Sequence, residues 1–231
     1  MRVLRNGIVI GALGCALLLG APGAPGAQDA SDVQYSEAQI ALFQTPHLDN
    51  IEQPVTVEYD YRREAGPDES FVDTVAMTVT AISSDGGKDV TFEYLTGSNR
   101  RPFGDVTDFR GNPLIMVFLE DDLQRMMKKL GGGGVYMRNR IRNAFLDRGK
   151  TQPITFDLNG RTVEGTRITV APFVGDKNRE RLGEYEHKVY EFVISPEVPG
   201  GIFQMRGMVL SPGSAGKPLA QDTLTYRGIH P

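Results

Sequence analysis

Residues 112–148 read NPLIMVFLEDDLQRMMKKLGGGGVYMRNRIRNAFLDR, and they interrupt a chain that elsewhere alternates apolar and polar residues with a period of two. Asn112 followed by Pro113 is a helix start, because asparagine caps the first turn and proline lacks only an N–H that has no partner there. Met116, Leu119, Leu123, Met126 or Met127, and Leu130 then recur at three- and four-residue spacing. Lys128 and Lys129 fall where the helix dipole favours cations. Residues 131–134, all glycine, stop this helix, and residues 135–148 supply a second one with Met137, Ile141, Ala144 and Phe145 on its apolar face. The pattern predicts a helical hairpin at about 112–149, joined by a glycine hinge.

On either side the chain reads as strands. Val55, Val57, Tyr59 and Tyr61 alternate with Thr56, Glu58, Asp60 and Arg62, the mark of a strand with one face buried and one wet. Residues 71–82 place Val75, Met77, Val79 and Ala81 on one side, and Val90, Phe92 and Tyr94 follow a turn at residues 84–87, so an antiparallel meander is expected. Beyond the hairpin come residues 154–158, an Asn159-Gly160 turn, and residues 162–170, 184–194, 201–210 and 223–226. Two prolines and two glycines make residues 195–201 a stiff connection. Ser36 caps a short helix over residues 36–43, with Glu37 and Gln39 in its first turn. The fold class expected is α+β: seven or eight strands in a strongly curved antiparallel sheet, an incomplete barrel, covered by the inserted helical hairpin.

The first residues are written for export. Arg2 and Arg5 precede an apolar run at residues 7–20 and a string of small residues, the order of a secretory signal, with cleavage expected near Ala27. The run is shorter than the roughly 20 residues a membrane-spanning helix needs, so no integral membrane span is expected in the mature chain. The only cysteine, Cys15, lies inside it. Gly14-Cys15 has the step that lipid attachment requires, but Ala12 and Leu13 reverse the usual order and the apolar run continues past the cysteine. A soluble periplasmic protein is therefore expected over a lipid-anchored one. The organisation expected is a signal over residues 1–27, a flexible leader over 28–35 and one domain over 36–231.

Taking away Arg2 and Arg5 and no acid turns the formal net charge of −4 into −6. Within this acidic chain residues 125–150 carry eight bases (Arg125, Lys128, Lys129, Arg138, Arg140, Arg142, Arg148, Lys150) against Asp147 alone, a local +7. Such asymmetry steers anionic partners, or else is neutralised within the fold. Arg138 and Arg142 flank the Met137, Ile141 and Phe145 stripe and Arg140 its other edge, so the guanidinium groups are placed to hold an anionic head while Met137, Ile141, Phe145 and Met126 meet hydrocarbon. Export and the net negative charge argue against nucleic acid.

Catalytic chemistry has no comparable pattern. A mature chain without a thiol excludes thiol catalysis and Cys-zinc sites. His47, His187 and His230 share no metal-ligand spacing. His187 is expected on a strand facing the same side as Glu191, roughly 13 Å away. Glu120, Asp121 and Asp122 splay around a helix, with Asp121 placed to meet Arg125 at i+4, which reads as a salt-bridged face. The stretch at residues 212–216 lacks the first glycine and the strand-to-helix setting of a nucleophile elbow. No enzyme activity, metal or cofactor is expected.

This layout resembles the periplasmic lipoprotein-carrier type of fold, with its short N-terminal helix, curved antiparallel sheet and helices inserted mid-chain over the open side of an incomplete barrel. The resemblance spans most of residues 36–228 and is one of architecture, so no functional residue is carried over. Residues 112–120 and 136–142 are also similar to stretches of exported proteobacterial proteins. The resemblance implies an envelope binding or carrier module for a lipid, acylated peptide or lipid-linked sugar. A hairpin that docks onto an envelope protein partner is the alternative.

Overall fold

The computed structural model describes residues 35–211 and 217–231, which form one unit. The export signal, the leader up to residue 34, Cys15 and the stretch at 212–216 lie outside the described residues.

Nine strands make a single antiparallel sheet: β1 (Val55–Glu64), β2 (Phe71–Ile82), β3 (Lys88–Tyr94), β4 (Val106–Phe109), β5 (Lys150–Leu158), β6 (Arg161–Val170), β7 (Lys188–Ile194), β8 (Ile202–Leu210) and β9 (Pro218–His230). Their order is β4-β3-β2-β1-β9-β8-β7-β6-β5, so two meanders join where β1 pairs with β9 and the sheet stays open at β4 and β5. Helices α2 (Leu114–Leu130) and α3 (Gly134–Asp147) connect one edge strand to the other. A short α1 (Glu37–Gln39) runs into a π-helical turn, Ile40–Gln44, and α4 (Arg179–Leu182) precedes β7.

Local chemistry accounts for most of these elements. Ser36 and Gln39 form a reciprocal capping box at the start of α1. Asn112 Oδ1 accepts from the Leu114 N–H at 2.9 Å while its amide donates to the Gly200 carbonyl at 2.6 Å, so one side chain caps α2 and ties it to the turn after β7. Gly131 ends α2 in the left-handed region at φ 74°, which a Cβ would disfavour. Asn159 and Gly160, at φ 55° and 82°, close the β5–β6 hairpin between the paired Leu158 and Arg161.

The alternation read in β1, β2 and β3 is the alternation of burial: Val57, Tyr59, Tyr61, Val75, Met77, Val79, Val90 and Tyr94 are all inward and buried. Ile168, Val170, Phe192, Met205 and Leu224 continue that face in the second meander, and Leu114, Phe118, Leu123, Met137, Ile141 and Phe145 join the same core from the helices. Burying each large side chain contributes about 1.5–3 kcal/mol.

Four expectations are corrected. Residues 184–187 are a 3-10 turn, so His187 does not stand on a strand beside Glu191. Lys188 pairs with Val209, and β8 ends one residue later, so a strand running further back has no neighbour to bond. The edge strand β4 was not expected, because its short and largely exposed run carries no alternation. β9 spans 13 residues where four were expected: it is central, paired on both sides, and the ladder carries it through polar residues. Finally, Ala81 is exposed, because a register shift between Val79 and Ala81 reverses the parity at the end of β2.

Candidate functional site

The face between α2 and the sheet is filled with side chains. Tyr61, Tyr94, Tyr190, Phe192 and Met77 expose 1% or less of their surface, so no water-sized gap lies beside them. Into this layer α2 projects Asp121, Asp122 and Arg125, at i, i+1 and i+4. Asp122 accepts from Lys188 Nζ at 2.7 Å and from the Tyr190 hydroxyl at 2.6 Å. Asp222 on β9 accepts from the Tyr61 hydroxyl at 2.6 Å and from Arg63 at 2.9 and 3.0 Å. Arg125 bridges the two halves, 2.5 Å from Asp121 and 3.7 Å from Asp222. A Cβ at Gly207, which stands between Asp222 and Tyr190 in the ladder, would lie 3.2 Å from Lys188 Nζ and 3.6 Å from Asp122. The strand is bare there so that the pair fits.

Three carboxylates thus face three cations under α2, and the two on α2, Asp121 and Asp122, titrate in opposite senses. Burial pushes Asp122 up, but Lys188, Arg125 and its two hydrogen bonds outweigh it and hold the carboxyl below the ordinary aspartate value. For Asp121 burial wins and the carboxyl is raised: Arg125, 2.5 Å from Oδ2, pulls it down, but desolvation together with the like charge of Asp222 outweighs that pull. The expected salt-bridged surface is corrected on this point. The Asp121–Arg125 pair forms as its spacing implies, but Asp121 and Asp122 are interior residues, each 2% exposed.

An open apolar site lies on the other side of the helices. Met116, Leu119 and Leu123 of α2, Ile141 and Phe145 of α3, and Phe43 of the π-helical turn line a cleft of about 390 Å³, within the range of about 300–1,000 Å³ usual for small-ligand sites. Phe43 stands edge-on to Phe145 with ring centres 5.1 Å apart, and Phe145 in turn meets Phe192 of the sheet at 5.9 Å. Met116 is 56% exposed at the mouth. The rim is polar: Gln39, Glu120, Arg138, Asn139 and Arg142. Arg138 grips Glu120 across the two helices at 2.9 and 3.0 Å, and Gln124 also donates to Glu120 at 2.6 Å. Arg142 is exposed and has no ion-pair partner among the described residues.

The sequence-derived candidates therefore divide. Arg138, Arg142, Ile141 and Phe145 meet at this cleft. Arg140 turns to the opposite flank, 2.7 Å from the buried Asp176, which also accepts from the Tyr136 hydroxyl. Met126 is sealed in the core, and Met137 borders a separate recess of about 220 Å³ with Leu130, Tyr136 and Leu182. Much of the local positive charge is neutralised internally, since Arg125, Lys129, Arg138 and Arg140 pair with carboxylates, while Arg148 keeps its charge and donates to the Val174 carbonyl. Phe43, Leu119 and Leu123 were not singled out as site residues. The i, i+3, i+7 spacing of Met116, Leu119 and Leu123 carried the signal, but it is also the spacing of an ordinary core face.

His47 is buried, its Nε2 has no hydrogen-bond partner among the described residues, and burial lowers its pKa. A Cβ at Gly201 would stand 2.5 Å from its Nδ1, which makes it a packing residue. Among the described residues no group of three His, Cys, Asp or Glu could hold a metal ion, and no helix is long and apolar enough to cross a membrane.

No family model matches the chain, and no curated protein does. Two solved structures are similar in layout. The Mycobacterium tuberculosis lipoprotein LppX is 13% identical, with 79% of this chain and 90% of that one covered and a TM-score of 0.31. A LolA superfamily protein from Nitrosomonas europaea is 6% identical, covering 83% and 92%, with a TM-score of 0.22. At such scores they carry nothing about the site.

Proposed function

We propose that the protein is a non-enzymatic binding module of the cell envelope that holds an anionic amphiphile, such as a lipid, an acylated peptide or a lipid-linked sugar. The hydrocarbon part lies in the cleft between α2, α3 and the π-helical turn, and the head meets Arg142, with Arg138 drawn from Glu120 as a second contact. The observation that carries this reading is the juxtaposition of an open apolar cleft with an arginine that has no ion-pair partner among the described residues. The filled sheet face supports a binding place between the helices of the hairpin over one beneath it. Periplasmic location rests on the export signal read in the sequence.

A methylene transferred from water into the cleft contributes about 0.8 kcal/mol, so shortening the chain of a bound amphiphile by two carbons weakens binding roughly tenfold. Native mass spectrometry of the protein after mild extraction tests the reading. Retained lipid whose occupancy falls with chain length is the expected result. No bound lipid, together with no uptake of added lysophosphatidylglycerol, overturns it.

The filled sheet face also favours a second reading, in which the basic hairpin docks onto an envelope protein. It predicts a co-purifying protein lost when Arg138 and Arg142 are reversed in charge.

A further inference from the structure

The exposed stripe of α3 is unlike that of an ordinary solvated helix. Val135, Arg138, Arg142 and Leu146 follow one another at three, seven and eleven residues from the first, which places them along one side of the helix. Val135 is 73% and Leu146 40% exposed, although a solvated stripe is normally polar. Arg138 and Arg142 stand between them and also border the cleft. Across that cleft Met116 and Phe43 are exposed at its wall, and Ile40, one helical turn before Phe43, is exposed as well. The acid of α3, Asp147, lies at its last position. Large apolar side chains interleaved with arginine, on the face that carries the cleft mouth, are the chemistry of a helix lying in a lipid interface.

We infer that this face rests on an anionic lipid bilayer, with Val135, Leu146, Met116 and Ile40 in the acyl boundary and Arg142 among the headgroups, so that the cleft opens into the membrane. The inference deepens the proposed function and rests on it for the direction of ligand entry. A protein partner is the competing occupant. The bilayer is favoured because the apolar residues stand apart, separated by cations, where the centre of a protein interface is contiguous and depleted of charge.

The test is sedimentation of the full chain with phosphatidylglycerol-containing and pure phosphatidylcholine vesicles, at low and high salt. Binding is expected to be stronger to the anionic vesicles and to weaken with salt. Val135→Asp with Leu146→Asp should lower it by at least tenfold, while Val72→Asp with Arg227→Glu, exposed positions on β2 and β9, should not. Uptake of monomeric lysophosphatidylglycerol separates the two claims. The Val135→Asp/Leu146→Asp variant should take it up like the parent, and failure of the parent to take it up would sink the binding reading while leaving the membrane contact to stand or fall on the vesicles. Unchanged vesicle binding in the variant overturns the inference. So does envelope association that disappears on protease treatment of the membranes and is absent from pure lipid.

Discussion

Replacing Lys188 with methionine removes one partner of a pair that is 2% and 3% exposed and 2.7 Å apart. Methionine keeps much of the lysine stem's apolar bulk, so the change isolates the ammonium group. Asp122 then keeps the Tyr190 hydroxyl as a direct donor but loses its nearest cation, and a buried charge stripped of its partner costs about 3–5 kcal/mol. The natural chain has no tryptophan, so unfolding in urea is followed by far-UV circular dichroism and tyrosine fluorescence. With a slope of about 2–3 kcal/mol per molar, the midpoint should fall by roughly 1.5–2 M. Adding Asp122→Leu and Tyr190→Phe replaces the whole group by apolar side chains and should recover most of the loss, because an apolar replacement of a buried pair is often neutral. A Lys188→Met cost under about 1 kcal/mol, with Asp122→Leu adding its own cost independently, would show that the pair is wet and that α2 does not press on β7.

The two neighbouring aspartates should titrate in opposite senses. Asp122, held below its unfolded value, stabilises above about pH 4 and loses that contribution as pH falls through its folded pKa; Asp121, raised by burial, costs stability at neutral pH and is relieved by acid. Asp122→Asn should therefore be worse than Asp121→Asn by at least about 1 kcal/mol at pH 7, with the gap closing on acidification in a series of urea titrations. Gly201→Ala, at φ 77° with His47 Nδ1 2.5 Å from the new Cβ, should cost at least about 2 kcal/mol. His47→Ala in the same chain should restore part of it, and full restoration would mean the backbone carries no strain. Met116→Trp puts a single indole at the cleft mouth, where lysophosphatidylglycerol should shift its emission to the blue; an unmoved spectrum at saturating amphiphile would mean the cleft stays empty.

Strands β1, β2 and β3 were legible because each is solvated on one face, so parity and burial coincide up to the register shift after Val79. The helical hairpin was legible from Asn112, Pro113 and the glycine run. What the period could not show was which apolar stripe faces the sheet and which the cleft: Leu119 and Leu123 repeat like Phe118 and Met126. The buried network left one trace. Lys188 shares its parity with Tyr190 and Phe192, and a lysine on the inward side of a strand needs a carboxylate partner. Its partner, 66 residues earlier on α2, is fixed only by tertiary packing. Likewise Arg138, Arg140 and Arg142 look equivalent in sequence, and only the fold gives Arg138 to Glu120, Arg140 to Asp176 and Arg142 to solvent.

The two helices of the hairpin are held by different physics, and this decides where the cleft opens most easily. α2 is fastened by the Asn112 cap to the turn after β7, by Asp122 to Lys188 and Tyr190, and by Arg125 toward Asp222 on β9. Lifting it would strip several buried charges of their partners at once, each at a cost of a few kcal/mol, against a total stability of about 5–15 kcal/mol for a typical domain. α3 is fastened by Met137, Ile141, Ala144 and Phe145, by the Arg138–Glu120 pair at the surface, and on its far flank by Arg140 and Tyr136 to Asp176. Apolar contacts have no fixed direction and tolerate a sliding partner, and an exposed ion pair contributes at most about 1 kcal/mol. The three glycines at 131–133, each at positive φ, join the tightly held helix to the loosely held one. Separating α3 from α2 at the cleft breaks the exposed Arg138–Glu120 pair and apolar contacts while the Arg140 and Tyr136 contacts to Asp176 on the far flank stay made, whereas lifting α2 from the sheet strips Asp122 and Arg125 of buried partners.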